Sequence, residues 1–241
     1  MRKLLALLPF LALAPLAPAQ ISQKPPDAVV VVVGSTAGQS GANFKTELQL
    51  TNATDSPMEG WLVLQPAVIA RRYDLAPRAT LSFPDIVADL GATGLASLDI
   101  LSDRGAVPTI VARAYDDQPT GTTGATIRAL RAAEIMGRND VSALIVPRDL
   151  TRYRFNIGVR TLELGATIEL TVRDATGNER HYRDLDLPAN HFSQEPGDVF
   201  VGTALRANES IAVRVISGRA ILYATTVDNR TNDSSLQVLG R

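Results

Sequence analysis

The chain has 241 residues, no cysteine and a formal net charge of −1. Binding to nucleic acid requires an excess of basic residues to neutralise phosphates, so a charge near zero argues against that class of partner. The lack of cysteine excludes disulfides and a cysteine nucleophile, and 45% hydrophobic residues are enough for a packed core.

The first 19 residues have the three parts of a secretory signal peptide. Two basic residues open the chain, residues 4–16 form an apolar run, and Ala17-Pro18-Ala19 supplies the small residues that a signal peptidase reads. A membrane anchor is the alternative, but the run is shorter than the ~20 residues a span needs. We therefore expect cleavage after Ala19, a disordered leader over residues 20–27, and an exported protein, periplasmic or extracellular, with no membrane span in the mature chain.

Residues 28–123 carry the pattern of a β-domain. The run of valines from Val29 to Val33 is typical of a strand buried on both faces, and residues 44–51 alternate apolar with polar side chains as a half-buried strand does. Proline and acidic residues at 84–90 suit one or two helical turns. Further strands are predicted, between turn-forming residues, at 60–68, 81–83, 96–101 and 109–115.

Residues 141–241 repeat this order of segments. Each matched segment lies roughly 109 to 114 residues after its counterpart, as expected for a duplicated domain with small loop insertions. A short helical or irregular segment is predicted at 196–205, and Asp174 to Asn178 has the composition of a hairpin turn. Strands are predicted at 143–146, 153–159, 166–173, 182–187, 211–216 and 220–227.

Residues 124–140 are predicted to be a helical connector between the two copies. Ile127, Leu130 and Ile135 would lie on one side of the helix and pack on a domain, and Gly137 would end it. A helix that recognises a partner is the alternative interpretation.

The predicted fold class is all-β. About seven short strands in each copy, with turns every 8 to 12 residues, favour two tandem Ig-like antiparallel β-sandwich domains related by internal duplication and joined by a short connecting helix. The cysteine pair of a true immunoglobulin domain is missing, and Trp61 is the only tryptophan. One continuous barrel is the main alternative.

Three stretches carry a resemblance to a known kind of module. The strand from Tyr153 to Val159, the Asp174-Ala175-Thr176-Gly177-Asn178 turn and the closing run from Tyr223 to Asp233 resemble the duplicated Ig-like β-sandwich module of exported bacterial proteins. The likeness covers nearly all of the mature chain and implies a sandwich fold and export, but no chemistry. It departs after Val159, where similar modules often have Asn-Pro and this chain has Arg160-Thr161.

No catalytic constellation is apparent in the sequence. His191, Ser193 and Asp198 contain the residue types of a nucleophilic triad, but their nearness in sequence does not make one, and both His181 and His191 are expected to be exposed loop residues. The two histidines with Glu179 and Glu195 match no zinc spacing. We therefore expect no enzyme, no cofactor and no catalytic residue.

Two sets of acidic residues remain as weaker candidates. Asp184 and Asp186 are two residues apart, as a carboxylate pair for glycoside hydrolysis could be, but a solvated strand face explains them better. Oxygen-rich turns offer a calcium site of low probability, although Asp and Asn are also ordinary turn residues. The calcium candidates are Asp228, Asn229, Asn232 and Asp233 in the second copy and Asp116 and Asp117 in the first.

The expected function is that of an exported, non-catalytic binding or scaffolding module whose partner is a protein or a component of the cell envelope. Loops at one end of the sandwiches, or edge strands, would make the contact. The alternative is a hydrolase of unrecognised type that acts on an extracellular polymer through polar residues around His181 and His191.

Overall fold

The structure is a computed structural model, and it describes residues 24–38, 41–119 and 121–241. The predicted signal peptide and residues 20–23 of the predicted leader lie outside the described residues. The described chain is all-β with antiparallel pairing throughout, as the sequence predicts. None of its helices has the length and apolar character needed to cross a bilayer.

The N-terminal half, residues 24–131, forms one nine-stranded sheet that folds over into two layers. Strand β1 joins the layers, because Ala28 to Ser35 pair with β6 while Thr36 and Ala37 pair with β2. The order is β4-β3-β6-β1-β2-β7-β8, with β5 on β2 and β9 on β1. The elements are β1 (Ala28–Ala37), β2 (Asn43–Thr51), β3 (Met58–Gln65), β4 (Ile69–Leu75), β5 (Thr80–Phe83), α1 (Ile86–Asp89), β6 (Gly94–Ser102), β7 (Thr109–Gln118), β8 (Gly121–Ile127) and β9 (Ala129–Arg131).

The C-terminal half, residues 132–241, forms a seven-stranded sheet around two long strands. Its order is β10-β15-β12-β13, with β11 and β16 on β15 and β14 on β12. Its elements are a 3-10 turn (Ala132–Glu134), β10 (Met136–Gly137), β11 (Val141–Ile145), β12 (Tyr153–Arg173), β13 (Glu179–Leu187), β14 (Phe192–Pro196), α2 (Gly197–Val201), β15 (Ser210–Asp228) and β16 (Ser234–Val238).

Both long strands bend sharply where they pass from one layer to the other. The pairing of β12 with β15 is interrupted between Thr161 and Ala166, and Gly165 and Gly218 face each other there with φ of 71° and 72°. A Cβ on Gly218 would lie 2.0 Å from the carbonyl oxygen of Gly165, so only glycine fits this crossing. In the N-terminal half, loops interrupt the chain at the positions of these bends. The separate strands β2 and β3 take the place of β12, and β6 and β7 take the place of β15.

The two halves share most of their strand pairings. The pairs β1–β6, β2–β5, β3–β4 and β7–β8 correspond to β11–β15, β12–β14, β12–β13 and β15–β16. The β2–β7 and β3–β6 pairs correspond to the two arms of β12 on β15. A duplication predicts this shared order, but common ancestry and kinship with Ig-like domains remain predictions, as does the division into two domains.

The hydrophobic core is made by the alternating residues that the sequence pattern indicates. Val29 to Val33 are buried, as expected for a strand covered on both faces, and Leu48, Leu170 and Val213 point inward. The core of the N-terminal half also takes in four buried residues of the other half: Ile135, Leu162, Ile221 and Tyr223. The two halves are therefore packed against each other through buried side chains.

The predicted helical connector over residues 124–140 is wrong. The segment continues the N-terminal sheet as β8 and β9, then forms only the 3-10 turn and the short strand β10. Ile127, Leu130 and Ile135 are buried in the N-terminal core, but as strand and turn residues. The reason is tertiary: β8 pairs with β7 and β9 pairs with β1, and these ladders outweigh the helix propensity of a few alanines and arginines.

The predicted disorder of the leader is also wrong for its described part, residues 24–27. The Asp27 carboxylate accepts a hydrogen bond of 2.7 Å from the Ser102 amide, and the Asp27 amide donates to the Ile100 carbonyl at 3.0 Å. The Lys24 ammonium donates to the Ser102 carbonyl at 2.6 Å. These bonds fix the segment along the end of β6 before β1 begins.

Candidate binding cleft at the junction of the two halves

A cleft of about 300 Å³ opens where one end of the N-terminal sandwich meets the C-terminal half. We call it the junction cleft. It lies between β1, β2, β6, β7 and β8 on one side and β12, β14, β15 and β16 on the other. Side chains that define it are Val32, Val33, Lys45, Leu95, Ala114, Ala125, Ile127, Arg154, Asn156, Gln194, Val227 and Leu236. Its size is at the lower end of the range of small-molecule sites.

The cleft exists because β1 changes layer at this end of the sandwich. Here β1 leaves β6 for β2, so residues of both layers line the cleft. Ala114 and Ala125, which are cross-strand neighbours on β7 and β8, leave room where larger residues would fill the core. Buried Thr46 also lines the cleft, and its hydroxyl accepts a 2.8 Å hydrogen bond from the Gly34 amide.

The rim of the cleft is polar and carries two cations. The Lys45 ammonium lies 2.7 Å from an Asp117 carboxylate oxygen, and this hydrogen bond and ion pair raise the pKa of Lys45. The Arg154 guanidinium donates to the side-chain oxygens of Asn229 and Asn232, at 3.2 and 2.9 Å. No aspartate or glutamate is among the described residues that line the cleft. The rim therefore favours a neutral or anionic group.

A buried ion pair fixes the two halves beside the cleft. Arg160 on β12 has no exposed surface, and its guanidinium lies 2.6 Å from the Asp99 carboxylate on β6. Burial raises the pKa of Asp99, and the charge of Arg160 opposes this change. The same guanidinium also donates to the carbonyl oxygen of Thr161 and to the side-chain oxygen of Asn190.

Tyr223 is a second residue of this interface, since it is buried in the core of the N-terminal half. Its ring packs on Gly158, where an added Cβ would lie 2.1 Å from the ring, and its hydroxyl donates to Gln194 at 3.0 Å. Burial raises the pKa of Tyr223. Because Gln194 also lines the cleft, the interface and the cleft wall share a hydrogen bond.

The structure does not assemble the triad suggested by His191, Ser193 and Asp198. His191 Nε2 lies 3.1 Å from the Ser193 hydroxyl, but the Asp198 carboxylate accepts from the Val199 amide at the start of α2. His191 is half-buried rather than exposed, and its backbone amide donates to the Thr161 hydroxyl. Burial of the imidazole lowers the pKa of His191. His181 is also half-buried, on β13 opposite Val172. Both histidines lie outside the junction cleft.

The acidic turn at the end of β15 has a structural role. One Asp228 carboxylate oxygen accepts from the amides of Arg230 and Thr231, at 2.8 and 3.3 Å, and the other accepts from Arg152 at 2.9 Å. These bonds lower the pKa of Asp228. The Asp233 carboxylate accepts from the Ser234 amide. A calcium ion needs several oxygen atoms that are free to coordinate it, and these carboxylate oxygens already accept hydrogen bonds from N–H groups. The geometry of the turn therefore does not support the calcium hypothesis.

Asp116 has the equivalent place in the N-terminal half. Asp116 pairs with Phe44 as Asp228 pairs with Tyr153, and its carboxylate accepts from the amide of Asn43 at 2.7 Å. Its neighbour Asp117 binds Lys45. Across the described ranges, no three His, Cys, Asp or Glu residues are grouped so that they could hold a metal ion.

Asp184 and Asp186 lie on the exposed face of β13. Asp184 accepts a 2.6 Å hydrogen bond from the Tyr182 hydroxyl, and Asp186 accepts one of 3.2 Å from Thr167. Both residues are exposed, and neither lines the junction cleft. This position agrees with the solvated strand face that the sequence favours.

The residues that form the buried contact between the halves and the walls of the junction cleft belong to none of the sites predicted from the sequence. Arg160, which the sequence analysis did not select as a site residue, makes the buried ion pair with Asp99 between the two halves. Nothing in a strand pattern indicates that Ala114 and Ala125 line a cleft, since alanine is ordinary in a strand core.

Comparisons with known proteins add no family to this description. The sequence matches no family model, and no curated protein matches it. The resemblance to a duplicated module of exported bacterial proteins thus remains a prediction from the sequence.

Proposed function

We propose that the protein is an exported, non-catalytic binding module and that the junction cleft is its ligand site. The observation that carries the proposal is the cleft itself, about 300 Å³ in volume and walled mainly by aliphatic side chains of both halves. A concave apolar site with a few polar groups at its rim is the usual form of a small-ligand site. The ligand would be a small molecule or an apolar group of an envelope component.

The alternative of a hydrolase around His181 and His191 has less support. A general base needs a nucleophile and a third group that orients it. His191 has the Ser193 hydroxyl within reach, but the carboxylate of Asp198 is used at the start of α2. Neither histidine lines the junction cleft, so the cleft and the histidines do not form one site.

Binding of an uncharged, environment-sensitive dye tests the proposal. N-phenyl-1-naphthylamine should bind saturably with a rise in fluorescence, because the aliphatic walls remove it from water. The variant Ala125→Phe should weaken binding by about tenfold or more, since the added ring occupies the site. The matched control is Ala212→Phe, which enlarges another half-buried alanine on β15, opposite Ala143 and away from the cleft.

The expected result is loss of dye binding in Ala125→Phe and wild-type binding in Ala212→Phe. The absence of saturable binding, or equal loss in both variants, would overturn the proposed site. Fractionation of cells that make the full chain tests the export, with the processed protein expected outside the cytoplasm.

A further inference from the structure

One cation at the rim of the junction cleft has no anionic partner. Lys45 is paired with Asp117, but no carboxylate of the described residues forms an ion pair with Arg154. The hydrogen bonds of Arg154 go to two neutral amide oxygens, those of Asn229 and Asn232. An arginine has five N–H donors, so its remaining donors and its full charge are available to a ligand.

The two asparagines orient Arg154 without cancelling its charge. Asn232 is fixed in the left-handed region with φ of 56°, and its amide donates to the Asp228 carbonyl at 3.0 Å. The Asn229 amide nitrogen donates to the Thr151 carbonyl at 3.2 Å. A half-buried guanidinium held in place by neutral acceptors is suited to a planar anion, above all a carboxylate. The neighbouring Arg152 differs, because Asp228 already neutralises it.

The apolar part of the cleft sets the size and shape of the rest of the ligand. At about 300 Å³ the cleft lies at the lower end of the range of small-molecule sites, so it suits a small ligand. The walls are aliphatic, with Val32, Ala125, Ile127 and Leu236 among them, and Phe44 is the one aromatic side chain of the described lining. A flexible aliphatic chain of about eight to ten carbons is a ligand of the size that such a small site holds.

We propose that the junction cleft binds a linear carboxylate of medium chain length, with its head on Arg154 and its chain between the aliphatic walls. This inference rests on the proposed function, and it adds the chemical class of the ligand. Each good charge-assisted hydrogen bond from Arg154 should strengthen carboxylate binding by about tenfold to a hundredfold over a neutral head of the same chain length.

Displacement of N-phenyl-1-naphthylamine by two probes, decanoate and decanol, tests the proposal. Decanoate should displace the dye from the full chain at a concentration at least about tenfold lower than decanol. Arg154→Gln should remove that preference, so that decanoate and decanol displace the dye at similar concentrations. The matched control is Arg113→Gln, which removes one positive charge from another half-buried strand position, where the guanidinium contacts Thr122 and Tyr115.

Equal displacement by decanoate and decanol in the wild-type protein would overturn the carboxylate proposal while dye binding still supported the cleft. Loss of the preference in Arg113→Gln as well as in Arg154→Gln would also overturn it, because the effect would then come from net charge alone. Arg154→Gln could fail to bind the dye because the turn at Asn229 has loosened. In that case the variant Arg154→Lys tests the carboxylate proposal. It keeps the charge, so it should retain a preference for decanoate that weakens with added salt, and a preference of zero would overturn the proposal.

Discussion

At the scale of single residues, the buried ion pair of Arg160 and Asp99 has a large energetic consequence. Both groups are removed from water, and the Arg160 Nε is buried without a hydrogen-bond partner in the described part of the chain. Desolvation of two charges offsets most of their attraction, so such a pair adds little net stability compared with an apolar pair. Removing one partner is different, because it leaves the other charge buried and unpaired.

A double-mutant cycle should therefore show strong coupling. Asp99→Ala alone and Arg160→Met alone should each lower the free energy of unfolding by roughly 3–5 kcal/mol, and the double variant should lose much less than the sum. Urea unfolding of the four proteins measures these values. Additive losses would show that the two side chains do not depend on each other.

His191 should make stability depend on pH. Burial lowers its pKa below the ordinary value of 6.5, with Glu195 opposing and Arg160 adding to this change. The unfolded chain therefore binds a proton more readily than the folded one, so stability is full above about pH 6.5 and declines as pH falls from there to the folded pKa.

Urea unfolding at a series of pH values between 5 and 8 checks this expectation. The variant His191→Asn should flatten the slope in that range, because it removes the group whose protonation differs between the two states. His181→Asn is the control, and it should keep the slope since His191 is untouched. A slope that survives in His191→Asn would assign the effect to another group.

At the scale of elements, strands with clear alternation were predictable and the connector was not. Residues 166–173 alternate because one face of β12 is buried and the other is open, so the sequence shows the strand directly. Residues 124–137 contain helix formers, but pairing with β7 and β1 decides their structure, and such long-range pairing leaves no local signal. The junction cleft was not predictable for a similar reason, since it depends on how β1 changes layer and on how the halves pack.

Leu170 tests the register of β12. The side chain is 1% exposed and packs in the core of the C-terminal half, opposite Val213. Leu170→Ala should lower the free energy of unfolding by about 2–4 kcal/mol, from lost burial and the cavity that remains. Thr171→Ala, on the other face of the same strand, should change it by less than about 0.5 kcal/mol. Equal effects in urea unfolding would contradict the register.

At the scale of the whole molecule, the two halves depend on each other for burial. Tyr223, Ile221 and Leu162 complete the N-terminal core from the C-terminal half, and Arg160 binds Asp99 across the same surface. Separation of the halves would expose these side chains and a buried charge. We therefore expect one cooperative unfolding transition, although the chain contains two sandwich-like halves.

Trp61 allows this cooperativity to be measured from one half while the other is perturbed. It is the only tryptophan, and it lies on β3 in the N-terminal half beside Arg72. Leu170→Ala weakens only the C-terminal core, yet it should shift the fluorescence midpoint of Trp61 and the circular-dichroism midpoint of the whole protein equally. The shift should be about 2–4 °C for each kcal/mol lost. A Trp61 midpoint that stays in place while the circular-dichroism curve splits into two steps would show that the halves unfold independently and that the interface is too weak to couple them.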